Sequence, residues 1–109
     1  MATLYQLHSS MDTLRRSTTE MALTWRAGDS IVLLGTTVAF IDWLNAYVED
    51  GDIQGIASIY ALSDDVAQLS ANTATQLNLD KKLTKLLTDN EWVQLTQDPQ
   101  FDKVVTIAL

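Results

Sequence analysis

Apolar residues in this chain gather in three short runs, each followed at once by residues that start helices. Residues 4–7 lead into His8-Ser9-Ser10, residues 31–34 into Gly35-Thr36-Thr37, and residues 56–60 into Ala61-Leu62-Ser63-Asp64-Asp65. A strand feeding a helix is the repeating unit of a parallel sheet. The run Ile31-Val32-Leu33-Leu34 is apolar throughout, which predicts a strand covered on both faces. Between the first two runs Met11, Leu14, Met21, Ala22 and Trp25 recur at helical spacing, with Ser9 and Ser10 placed to cap that helix and Ala27-Gly28 to end it. A second helix is predicted over 38–48, closed by Glu49-Asp50-Gly51-Asp52. Ser63 as a cap, with Asp64 and Asp65 at the positive end of the helix dipole, predicts a third helix running to about Leu69.

Residues 71–87 read two ways. Thr75-Gln76-Leu77-Asn78-Leu79 alternates like a strand, and 81–87 suits a helix or a strand, with a fourth strand favoured over 83–87. The next four residues favour that strand: Thr88-Asp89-Asn90-Glu91 is a capping-box pattern, opening a short helix through Trp92, Val93 and Leu95 that Pro99 terminates. The β-branched tail 104–109 predicts a fifth, outer strand. The expected architecture is a three-layer, flavodoxin-like α/β fold with a mostly parallel sheet of about five strands, formed by one domain over 1–109.

Charge and composition narrow the function classes. Seven Lys and Arg face 14 Asp and Glu, a net charge of -7, and the positive residues are dispersed apart from Arg15-Arg16 and Lys81-Lys82-Lys85. Direct nucleic-acid binding is not expected, because neutralising several phosphates needs a concentrated basic face. The absence of cysteine removes disulfides, Cys-ligated zinc and the thiol nucleophile. Residues 1–8 carry no charged segment followed by a long apolar one, so neither a signal peptide nor a membrane span is expected, and the cytoplasm is the default location.

The ends of parallel strands are where such sheets place chemistry. A flavin-phosphate loop after the first strand needs glycine so that backbone amides can wrap the phosphate, and His8-Ser9-Ser10-Met11-Asp12-Thr13 has none. A phosphoacceptor domain needs an aspartate ending the third strand, where Tyr60-Ala61-Leu62 stands. His8, the single histidine, invites a general-base or metal role, but without a second ligand its reading as a hydrogen-bonded structural residue is preferred. Asp64 and Asp65 form a carboxylate pair whose place in a first helical turn already accounts for them. Ser9, Ser10 and Ser63 read as caps before nucleophiles. No catalytic residue, cofactor or metal site is assigned.

The segment 38–48 is less easily absorbed by one core. At about 100° per residue Val38, Ile41, Leu44 and Val48 form one stripe, while Phe40, Trp43 and Tyr47 form another roughly 110° around the helix. Half-burying three such aromatics removes about 225 to 375 Å² from water, worth roughly 6 to 9 kcal/mol gross. That makes Phe40, Trp43 and Tyr47 the candidate partner interface, the alternative being a wide core stripe beneath the 49–55 loop.

Taken together, Leu4-x-x-Leu7-His8-x-Ser10, Gly28-Asp29-x-x-x-Leu33-Leu34, Tyr60-Ala61-Leu62-x-x-Asp65 and Trp92-Val93-x-Leu95-Thr96 resemble the DsrH/TusB family of sulfur-relay subunits over nearly the whole chain. Residues 71–82 diverge and look like an insertion. The resemblance implies a DsrE/DsrF/DsrH-like α/β fold, assembly into a heterohexamer with TusC-like and TusD-like subunits, and service in 2-thiolation of the tRNA wobble uridine. Some DsrH members carry a cysteine in the first helix, where Glu20-Met21-Ala22-Leu23-Thr24-Trp25 has none, and Thr36-Thr37-Val38 replaces the Asp-Gly-Val often found after the second strand. No persulfide can form on a chain without cysteine, so the resemblance implies a non-catalytic TusB-like role, with the reactive cysteine on the TusD-like subunit. The alternative expectation is a stand-alone or homo-oligomeric α/β module binding a small ligand at His8 and the Ser63-Asp64-Asp65 edge.

Overall fold

The computed structural model describes residues 2–51, 53–69, 73 and 77–108. Five parallel strands form one sheet in the order β4-β3-β2-β1-β5: β1 Ala2–Leu7, β2 Ser30–Leu33, β3 Ser58–Leu62, β4 Lys85–Leu87 and β5 Phe101–Ile107. The helices whose bounds are described are α1 Leu14–Ala22, α2 Ile41–Asp50 (entered through a 3-10 segment, Gly35–Phe40), α3 Ser63–Ala67, α4 Leu79–Lys82 and α5 Asp89–Thr96. This is the three-layer, flavodoxin-like α/β architecture expected from the apolar runs.

The strand order fixes the layers. Three successive steps β1 to β4 move in one direction, and right-handed crossovers then put α1, α2 and α3 on one face; the return from β4 to β5 carries α5 to the other. Strand alternation divides β1 accordingly. Tyr5 and Leu7 join Leu14, Met21, Ile41 and Leu44 in the main core, while Gln6 points to the opposite face and accepts the indole N–H of Trp92 in α5 at 2.6 Å. Gln6 also donates to Thr106 of β5 at 3.0 Å, so one buried amide joins the first strand, the last strand and the helix between layers.

All four residues of β2 are buried, as an uninterrupted apolar run requires of a central strand. The Thr88–Glu91 capping box is present with both of its hydrogen bonds, which starts α5 where the pattern placed it. Lys85, at the start of β4, pairs with Glu91, and Lys82 of α4 pairs with Asp42 of α2.

Several boundaries move. The first helix begins at Leu14 with Thr13 as its cap residue and ends at Ala22, leaving Met11 and Trp25 outside it. Ser9 is not a cap: its buried hydroxyl bonds that of Ser17, while Ser10 bonds the hydroxyl of Thr13. The third strand starts two residues later than the apolar run and absorbs Ala61 and Leu62, so Ser63 becomes the first helical residue and makes no side-chain cap. The helix it opens stops at Ala67. The fourth strand is the short 85–87 segment, and the fifth starts at Phe101, before its β-branched part. Of the segment read as strand-like over 75–79, Thr75 and Gln76 lie outside the described residues, and Leu79 is helical.

Candidate functional site

Three loops meet at the carboxyl ends of β1, β2 and β3. The loop after β1 is stitched to the loop after β2 by one threonine: Ser9 N–H donates to Thr37 Oγ1 at 2.9 Å, and the Thr37 hydroxyl donates back to the Ser9 carbonyl at 3.1 Å. The loop after β2 is tied to α3, because Gly35 N–H donates to Asp65 Oδ2 at 2.8 Å. Gly35 itself has φ +60°, and a Cβ there would stand 2.9 Å from Nε2 of His8, so this glycine answers both a left-handed backbone and a close approach.

His8, Asp64 and Asp65 therefore end up on the same rim, in different circumstances. His8 is exposed, with its imidazole resting over Gly35; Asp64 is exposed in the first turn of α3; Asp65 spends one carboxylate oxygen on a backbone amide. Among the described residues no three histidine or carboxylate side chains converge as a metal-binding group. The rim is held by its own hydrogen bonds, with Thr37 and Asp65 as fasteners. Thr37 was visible in the sequence only as a replacement within Thr36-Thr37-Val38, and a threonine that fixes a loop by bonding both ways gives no periodic signal.

The aromatic stripe is divided by local helix geometry. Residues 35–40 turn as a 3-10 helix, so a regular 100° spacing does not begin until Ile41, and Phe40 lies at the end of the tighter turn. Of the candidate interface residues, Phe40 and Tyr47 are partly buried and pack at the margin of the main core. Trp43 remains outside, 54% exposed, with its ring centroid 6.3 Å from that of Tyr47. Another exposed apolar residue was not singled out in the sequence: Leu23, just past the end of α1, is 75% exposed and shares with Tyr47 a cleft of about 380 Å³ between α1 and α2. Leu23 falls within what reads as a helix ending at Gly28, and its exposure comes from α1 ending six residues earlier.

No family model matches the chain, and no curated protein matches it. Among the described residues, no helix is long and apolar enough to cross a membrane.

Proposed function

We propose that this chain is a non-catalytic subunit of a cytoplasmic sulfur-relay complex that serves 2-thiolation of the tRNA wobble uridine, assembled with TusC-like and TusD-like subunits. The supporting observation is Trp43, a large aromatic left half in water beside Tyr47 on a chain with no cysteine to carry sulfur. The motifs that resemble the DsrH/TusB family supply the identity of the partners. Covering the free parts of Trp43 and Leu23 hides about 250 Å², roughly 6 kcal/mol gross. Association costs on the order of 4 to 15 kcal/mol, so these two side chains act as anchors within a larger contact.

Co-expression with the TusC-like and TusD-like proteins of the same genome, with mass measurement of the purified assembly, tests this reading. A mixed complex containing this chain is expected, lost in Trp43→Asp and weakened in Leu23→Asp. Absence of any mixed complex, or a complex indifferent to both substitutions, overturns it. The engagement of Asp65 by Gly35 disfavours the small-ligand reading, since a carboxylate already holding a backbone amide is poorly placed for acid–base work.

A further inference from the structure

At the end of the sheet away from His8, beside the starts of β1 and β5, a groove of about 430 Å³ opens on the α1 side. Its volume lies in the range of small-molecule sites, roughly 300 to 1,000 Å³. Tyr5 and Trp25 supply its aromatic surface, with ring centroids 5.5 Å apart. Both rings are held in place: the Tyr5 hydroxyl shares a 2.7 Å hydrogen bond with that of Thr24, and the Trp25 indole donates to the Gln54 carbonyl at 2.8 Å. The buried Asp29 carboxylate accepts from the backbone N–H of Thr3 and that of Arg26, two residues that line the groove. Its walls are set before anything enters.

Three charged residues join this aromatic surface: Arg26, Asp102 and Lys103. β5 reaches the groove through a register shift, in which Ala2 pairs with Phe101 and Thr3 with Lys103. Asp102 is the extra residue. Strict alternation would send Asp102 and Lys103 to opposite faces, and the bulge lets both line one groove. Bulges are rare between parallel strands, and they gather where a side chain has to be re-aimed. Lys82 and Lys85 are spent in ion pairs, whereas among the described residues neither Arg26 nor Lys103 pairs with a carboxylate, Asp102 included. All three charged residues are exposed, open to an incoming ligand.

We infer that this groove binds a small zwitterion carrying an aromatic group, the chemistry of a free aromatic amino acid. The carboxylate goes to Arg26 and Lys103, the ammonium to Asp102, and the ring against Tyr5 and Trp25. A simple anion would leave Asp102 opposing it, and a simple amine would meet two cations. A ligand bearing both signs answers all three. Because the charged groups are exposed and screened by salt, binding is weak, with a Kd on the order of 1 mM. The inference stands apart from the sulfur-relay reading: it does not use Trp43 and shares only Leu23 with that surface.

Amide NMR of the full isotope-labelled chain, titrated with L-phenylalanine to about 20 mM, tests it. Saturable shifts are expected at the backbone amides of Thr24, Trp25 and Lys103 and at the Trp25 indole. Phenylpropionate, which lacks the ammonium, and phenylethylamine, which lacks the carboxylate, should each bind at least about threefold more weakly. Arg26→Gln and Asp102→Asn should each raise the Kd for phenylalanine by a similar factor, and Trp43→Asp should leave it unchanged. Both substituted side chains are exposed and unpaired, so the variants keep the fold, which the same spectra verify. The absence of saturable shifts at these residues, equal affinity for phenylpropionate, or binding indifferent to both substitutions overturns the proposal.

Discussion

Asp29 offers the sharpest test of how the sheet is held together. Its side chain is buried, 2% exposed, and each carboxylate oxygen has its own backbone donor: Thr3 N–H on Oδ1 at 2.8 Å and Arg26 N–H on Oδ2 at 2.9 Å. Its main chain is equally committed, with the carbonyl accepting from Ala57 at 3.0 Å. One residue thus fastens the start of β1, the turn before β2 and the approach to β3. Hydrogen bonds to a charged acceptor contribute about 1.5 to 3 kcal/mol each, and Asp29→Ala removes two. Water can enter beside the exposed Arg26, which brings the expected loss to about 2 to 4 kcal/mol. Asp29→Asn keeps one acceptor and turns an amide N–H towards the other donor, for an expected loss of about 1 to 2 kcal/mol. A domain of this size has roughly 5 to 15 kcal/mol in hand, so the alanine variant should melt on the order of 10 °C lower. Urea titration monitored by fluorescence of the three tryptophans measures both variants. Equal losses for Asn and Ala, or a loss below about 1 kcal/mol for Ala, would refute the assignment of stability to the two oxygens.

Trp92→Phe leaves the Gln6 acceptor without its donor and should cost about 1 to 2 kcal/mol in urea titration, with a non-additive outcome when Gln6→Leu is combined with it. Gly35→Ala should cost about 1 to 2 kcal/mol from its left-handed backbone, and adding His8→Ala should relieve only the part due to the 2.9 Å contact. Contact with the Lys85 ammonium, helped by the Thr88 backbone N–H, holds the Glu91 carboxyl below its ordinary value. A depressed carboxylate stabilises the fold above its unfolded pKa, and that contribution fades as pH falls from the ordinary glutamate range through the folded value. The melting-temperature difference between the native chain and Glu91→Gln should therefore be largest above about pH 5, shrink towards pH 3, and decrease with salt.

The layer arrangement was legible in the sequence because burial leaves a direct mark. Ile31-Val32-Leu33 could only be a strand covered twice, and Thr88 with Glu91 specifies a helix start chemically rather than statistically. The boundaries that moved share a cause: serine is read as a cap by default, and here Ser9 and Ser17 face each other inside the core, a pairing over eight residues that no local pattern encodes. The aromatic face was only half legible. Period arithmetic assumes one helix type, and the 3-10 turns before Ile41 shift Phe40 off the stripe, so of the three aromatics only Trp43 is left largely in solvent. Asp29 stood in a motif carried by resemblance, yet its role rests on Thr3, 26 residues away, and became visible only with the fold.

The pairing of β1 with β5 also bears on how the chain comes to be folded. Residues 2–7 lie against residues 101–107, at opposite ends of the sequence, and Gln6 makes hydrogen bonds to both Trp92 and Thr106 at that junction. During synthesis β1 can recruit β2 early, but its other flank stays open until every intervening element has been made. Closing that flank is a long-range event of the kind that slows folding, and a nascent chain stalled before Phe101 would display β1 paired with β2 on one side and open on the other. The fifth strand, made long after the first, is the one that shields its open flank.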